Sequence, residues 1–234
     1  MRKPALLLAI FTSALLLASG LFAGMPHPFS AAYPDPARFA DDIAAFAAAD
    51  AQTPPPADAT LCIGSSSMRM WHPTIARDLA PLAVIPRGFG GSTMYDVLHF
   101  APRIVLPYRP RTILLYEGDN DIDFGVTPAD FMAAFRAFVD LVHLELPETR
   151  IFVVSIKASG ARWAKWPVMQ EANGMLRAEC GADSSLTFID VATPLLGDDG
   201  LPHEEFYLPD RLHLAAGGYE VWSKAIAEVL LGGE

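Results

Sequence analysis

Thr60-Leu61-Cys62-Ile63-Gly64-Ser65-Ser66-Ser67 is the stretch from which the fold can be read. An apolar run stops at a glycine, and three small hydroxyl residues follow. The run is continuously apolar instead of alternating, which suits a strand covered on both faces. When such a strand ends in Gly and Ser, it presents a hydroxyl at the carboxyl edge of a parallel sheet, the edge where open α/β folds bind ligands. A serine there can serve as a nucleophile once a base lies within reach. The same cluster also reads as a turn capping the next helix, with Ser67 as the capping hydroxyl. The rest of the chain decides between the two.

Working outward, the pattern of residues 60–63 recurs at 82–85, 112–116, 151–155 and 186–190. Helical periodicity lies between these runs, at 68–79, 94–106, 128–146 and 168–180, and a last helix covers 215–231. Strands alternating with helices predict a parallel sheet of about five strands between two helical layers, a three-layer α/β/α domain. Upstream, Phe39, Ile43 and Phe46 give residues 35–49 one apolar helical face, and Thr53-Pro54-Pro55-Pro56 ends that helix as a stiff connector. The chain opens differently. Arg2-Lys3, an uncharged apolar stretch over 5–18 and small residues through Leu21-Phe22-Ala23-Gly24 read as a secretory signal peptide cleaved near Ala23. An uncleaved amino-terminal anchor is the alternative, since the stretch approaches spanning length. The expected organisation is therefore a leader over 1–23, a helix and connector over 24–59, and a catalytic-type domain over 60–234. The protein is expected to be exported, periplasmic or secreted.

At 52% hydrophobic residues, 234 residues suffice for one sizeable core. Without Arg2 and Lys3 the balance is 15 basic to 27 acidic residues, a formal charge of −12. Such a surface argues against nucleic acid and anionic membrane as partners. Cys62 and Cys180 read as free thiols, and no CxxC or His cluster suggests a structural metal. No cofactor is implied.

Four loops leave the carboxyl edge in this scheme. Gly64-Ser65-Ser66-Ser67 is the first. Arg87-Gly88-Phe89-Gly90-Gly91-Ser92-Thr93 is the second, glycine-rich but matching neither GxGxxG nor GxxxxGK[ST]. In the third, Asp119, Asp121 and Asp123 have the spacing of a calcium loop. Phe124 stands where that loop needs Gly, and Asp130 where it needs Glu, so calcium is not expected. Asn120 in the same loop carries an amide able to donate to a developing oxyanion. The fourth is Asp210-Arg211-Leu212-His213, whose carboxylate can fold back onto Nδ1–H and free Nε2 to take a proton from serine. Of six histidines, only His213 has Asp at that spacing.

These four blocks, in this order, resemble the SGNH (GDSL-type) hydrolase superfamily. Gly64-Ser65-Ser66 is similar to its Gly-Asp-Ser, with Ser65 where the usual Asp stands. Gly91, Asn120, and Asp210 with His213 correspond to the second, third and last blocks. Met68-Arg69-Met70-Trp71, Ser155-Ile156-Lys157, Arg162-Trp163 and the helix with Phe46 and Asp50 resemble a bacterial branch with Gly-Ser-Ser-Ser. The resemblance implies a flavodoxin-like sheet and a serine esterase with a Ser66-His213-Asp210 triad. Its oxyanion hole would comprise the Ser66 and Gly91 N–H groups and the Asn120 amide. Arg162 and Trp163, with Trp166 nearby, are expected to line the substrate cleft. The substrate is expected to be a small-acyl or acetylated-glycan ester. The alternatives are a long-chain lipase, lysophospholipase or thioesterase, or a silent module that only binds acylated glycans or lipids.

Overall fold

Five short apolar runs become strands, the central ones buried on both faces and the two edge strands partly so. They are β1 (Thr60–Gly64), β2 (Val84–Gly88), β3 (Thr112–Tyr116), β4 (Arg150–Val154) and β5 (Leu186–Ile189). The structure is a computed structural model and describes residues 29–232, so the leader or anchor and its cleavage point lie outside the described residues. All strand pairs are parallel, in the order β2-β1-β3-β4-β5. This is the flavodoxin-like order, whose switch point falls where β1 lies between β2 and β3.

Among the described residues eight α-helices connect and cover the strands: α1 (Ala40–Gln52), α2 (Ser66–Trp71), α3 (Ile75–Asp78), α4 (Met94–Ile104), α5 (Asp119–Asp123), α6 (Pro128–Glu145), α7 (Trp166–Ala182) and α8 (Ala216–Gly232). Alternation along each strand divides the core in two. Leu61, Ile63, Ile113, Leu115, Ile151 and Val153 pack with Ile43 of α1, Phe100 of α4, Phe135 of α6 and Leu176 of α7. Cys62, Leu114, Tyr116, Phe152 and Val154 face the other way, onto Trp71 of α2, Ile75 of α3 and Trp222 of α8. Both thiols are free and buried. Burial pushes the Cys62 thiol up, and burial first, then Glu179 and Asp183, push Cys180 up to about 12.

Most boundaries lie within a few residues of the sequence pattern, and three departures have a clear physical cause. The helix expected over 68–79 is two helices, because Pro73 lacks the N–H that an unbroken helix would need. Asp78 joins the pieces by accepting from Trp71 Nε1 at 2.8 Å and Thr74 Oγ1 at 2.7 Å. The second strand is shifted from 82–85 to Val84–Gly88. Leu82 is taken up in a turn by its N–H bond to the Leu79 carbonyl, and the strand continues through Pro86 and Arg87. Proline is tolerated because β2 is an edge strand. The Arg87 charge is met by Asp50, its Nε donates to the Tyr108 hydroxyl at 2.8 Å, and the guanidinium lies 5.0 Å from the Phe46 ring centre. The third loop contains the helical turn α5 in place of an irregular segment.

Gly64 closes β1 with φ 149°, and a Cβ there would stand 2.1 Å from the Tyr116 carbonyl oxygen. Gly64→Ala is therefore expected to lower unfolding free energy by about 3 kcal/mol, combining backbone strain with a backbone clash. Gly174→Ala, on an exposed turn of α7 with open space around it, is expected to raise it by up to about 1 kcal/mol. Urea denaturation of both variants checks the contrast.

Candidate active site

The nucleophile position is set by β1 and its two neighbours. Register pairs Gly64 with Gly88 on one side and with Tyr116 on the other. The chain then turns at Ser65 and starts α2 at Ser66. Gly88 has to be glycine, since a Cβ would lie 2.3 Å from the Arg69 nitrogen in α2. Its N–H donates to His72 Nε2 at 2.9 Å, tying the end of the helix to β2. Burial, with Arg87 and Arg69 nearby, lowers His72 to about 4, so it is a neutral acceptor at pH 7. From the opposite side Tyr219 of α8 donates to the Ser67 carbonyl at 2.8 Å and stacks on Trp71 with centroids 5.8 Å apart.

The three hydroxyls of the triplet have different fates. Ser65 and Ser67 are fully buried, and neither Oγ has a hydrogen-bond partner. Ser67 lies inside α2 and caps nothing, contrary to the capping expectation. Ser66 alone is partly open, and its Oγ lies 3.0 Å from His213 Nε2. His213 Nδ1 is 2.6 Å from Asp210 Oδ2. The second carboxylate oxygen accepts the N–H groups of Leu212 at 2.9 Å and His213 at 3.0 Å. The His213 side-chain bond, followed by these backbone bonds, holds Asp210 down at about 2. A carboxylate on Nδ1 requires the hydrogen there, which leaves Nε2 as an acceptor for the serine hydroxyl.

Gly91 follows β2 with φ 88°, a conformation that favours glycine although a Cβ would meet nothing within 4 Å. Its neighbour Gly90 lies against Ser66 and Arg69: a Cβ there would be 3.8 Å from Ser66 Cβ and 3.2 Å from Arg69 Nη1. Asn120, in the first turn of α5, donates from Nδ2 to the Ser92 carbonyl at 2.8 Å. Its Oδ1 accepts from Arg162 Nη2 at 2.9 Å. Serine, histidine, glycine and asparagine blocks thus come to one carboxyl edge from four connections. Arg162, expected in the cleft wall, is bound by protein partners, and its side chain is 14% exposed. Trp163 is half-buried, its ring stacked near Trp166 at 6.3 Å between centroids. The three aspartates of the third loop diverge: Asp119 to Lys157 and Arg162, Asp121 to Tyr33, Asp123 to Arg162 and Lys165. Among the described residues, no group of three or more His, Cys, Asp or Glu is placed to hold a metal ion.

The GDSL-like lipase/acylhydrolase family model matches residues 58–221, and the chain belongs to that family. It is a hydrolase acting on esters. Solved structures share the fold at low identity. A protein from Streptococcus pneumonia named for platelet activating factor is 21% identical, with 83% of this chain and 94% of that one covered at a TM-score of 0.72. A GDSL-like lipase from Bacteroides thetaiotaomicron is 17% identical, with 86% and 98% covered at 0.67. A catalytic mutant of Axe2, an acetylxylan esterase from Geobacillus stearothermophilus, is 13% identical, with 77% and 96% covered at 0.62. No curated protein matches the sequence.

Sequence reasoning passed over the layer beneath these residues. Glu117 directly follows β3, is buried, and accepts from Ser92 Oγ. Asp121, also buried, accepts from Tyr33 Oη and the Met94 N–H, each at 3.0 Å. One oxygen of each carboxyl, Glu117 Oε2 and Asp121 Oδ2, has no partner. The available signal was position, since a charged residue abutting a buried strand needs a partner. Burial, then the charge of Asp121, raises Glu117 well above the carboxyl range, and burial raises Asp121 to about 7. A carboxyl in the unfolded chain loses its proton near pH 4, whereas the folded Asp121 retains it to about pH 7. The folded state then binds the extra proton, so this group's contribution to stability falls as pH rises through that window, by up to about 1.4 kcal/mol per pH unit. Asp121→Asn keeps an oxygen acceptor for Tyr33 and Met94 and removes the titration. The stability of the variant relative to wild type is expected to increase from pH 4 to 7 and level off above, in urea melts across that range.

Proposed function

We propose that the protein is a serine esterase in which Ser66 is the nucleophile, His213 the general base and acid, and Asp210 the group that orients the imidazole. The observation that carries this reading is the unbroken line from Ser66 Oγ through His213 to Asp210, at 3.0 and 2.6 Å. Ser66 Oγ attacks the ester carbonyl carbon as its proton passes to His213 Nε2. The tetrahedral oxyanion lies against the Ser66 and Gly91 N–H groups and an Nδ2–H of Asn120. The C–O bond to the alcohol breaks, and the imidazolium returns the proton to the departing alkoxide. Water, deprotonated by His213, then attacks the acyl-serine carbonyl; the bond to Ser66 Oγ breaks, the imidazolium returns its proton to Oγ, and the acid is released.

We place the substrate among small-acyl esters, acetylated glycans included. Support comes from the shared fold with Axe2, an acetylxylan esterase, and from an acidic chain with no basic stretch beyond its opening. The basic–apolar opening over 2–22 supports action outside the cytoplasm.

The p-nitrophenyl esters from acetate to palmitate test both parts. Acetate is expected to be the fastest, and a palmitate maximum would favour the long-chain reading. Ser66→Ala should lower kcat by about 10⁴-fold or more, and Asp210→Asn by about 10³–10⁴-fold, while Ser65→Ala and Ser67→Ala retain turnover. Wild-type rates in Ser66→Ala would refute the mechanism, and no turnover of any ester would favour a binding module. Because Asp210 stays ionised down to about pH 2, its protonation should not contribute to the acid limb of kcat/KM above that pH.

A further inference from the structure

We propose that Arg162 is a positioning residue that fixes the Asn120 amide so that one Nδ2–H always faces the ester oxygen; this rests on the assignment of Asn120 to the oxyanion hole. The two ends of a primary amide have almost the same shape, and only their partners decide which way it points. At Asn120 those partners are chemically one-sided. The Arg162 guanidinium at Oδ1 can only donate, and the Ser92 carbonyl at Nδ2 can only accept. A flipped amide would set N–H against N–H and oxygen against oxygen. With one Nδ2 hydrogen on Ser92, the other is the one left for substrate. The guanidinium at Oδ1 also polarises the amide and strengthens its N–H as a donor.

Arg162 is itself held in place. Nη1 lies 3.3 Å from Asp119 Oδ2 and Nη2 3.1 Å from Asp123 Oδ2. Asp119 is in turn fixed by the fully buried Lys157 at 3.1 Å. Burial alone would raise Asp119, but Lys157 and Arg162 keep it below the usual carboxylate value, so it stays charged. The same segment reaches the base. The Ala158 carbonyl accepts from Tyr207 Oη at 2.6 Å, and the Ala161 N–H donates to the Arg211 carbonyl at 3.0 Å. Arg211, at φ 58°, is the left-handed residue between Asp210 and His213. Residues 157–162 therefore couple the amide to the loop that carries the base.

The test is a double-mutant cycle on p-nitrophenyl acetate, with kcat and KM measured separately and thermal melts confirming that each variant is folded. Asn120→Ala is expected to lower kcat about 10²-fold or more. Arg162→Ala should lower kcat about 10–10²-fold with little change in KM, and Arg162→Lys should recover part of that loss because an ammonium still donates to Oδ1. In the Asn120→Ala background, adding Arg162→Ala should change kcat less than about threefold, since the group it positions is gone. Equal losses in both backgrounds, or a raised KM at unchanged kcat, would overturn the proposal. If Asn120→Ala costs nothing while Ser66→Ala abolishes turnover, the oxyanion assignment fails and the proposal with it, but the triad stands. Should Arg162→Ala not fold, the cycle is run with Arg162→Lys, where a kcat loss that persists in the Asn120→Ala background overturns it.

Discussion

The register of β1 between β2 and β3 is the constraint on which the site depends. It sets Gly64 level with Gly88 and Tyr116, so three connections leave the sheet at one height. Two of those positions are glycines pressed against backbone, with no room for a side chain. A one-residue slip would turn every strand side chain to the opposite layer and exchange the two halves of the core. It would also lift Ser66 away from a histidine 147 residues further along the chain. The accuracy of a 3.0 Å contact at that sequence separation comes from packing. Trp71, Tyr219, Trp222 and Tyr116 form one aromatic group that joins α2 to α8 and β3.

Charge is distributed with the same economy. The exposed surface is acidic, while the carboxyl edge of the sheet holds buried charges of both signs. Lys157 and Arg162 balance Asp119, whereas Glu117 and Asp121 have no cation partner among the described residues and are held towards their neutral forms. The first set steadies Asn120 from its oxygen side. The second lies under Ser92, whose carbonyl steadies Asn120 from its nitrogen side. A polar network in a dry interior is rigid only when its members are satisfied. The open oxygens of Glu117, Asp119 and Asp121, and Arg162 Nη1 without a hydrogen bond, are where this one is least so.

The strands were legible because doubly buried runs need no partner information to be recognised. Thr112–Tyr116 is read from its residues alone. Boundaries failed where tertiary partners intervened: β2 runs on through Pro86 and Arg87 because Asp50 and Tyr108 meet the Arg87 charge, a contact invisible in local sequence. Ser66, Gly91, Asn120, Asp210 and His213 were readable as short blocks with ordered spacing. Arg162 was noticed as a cleft residue, but its bond to Asn120 was not legible, since that partner lies 42 residues away and a basic loop residue resembles any surface cation. Glu117, which directly follows β3, was passed over for the same reason, and Lys157, three residues past β4, was noticed only as part of a family-like block.

The proposed nucleophile is Ser66, and neither flanking serine. Reaction of the intact protein with diethyl p-nitrophenyl phosphate, followed by peptide mass mapping, tests this without any assumption about substrate. One diethylphosphoryl group per chain is expected, on Ser66, with release of one p-nitrophenolate and no labelling in His213→Ala. Labelling of Ser65 or Ser67, or undiminished labelling of Ser66 without His213, would contradict it.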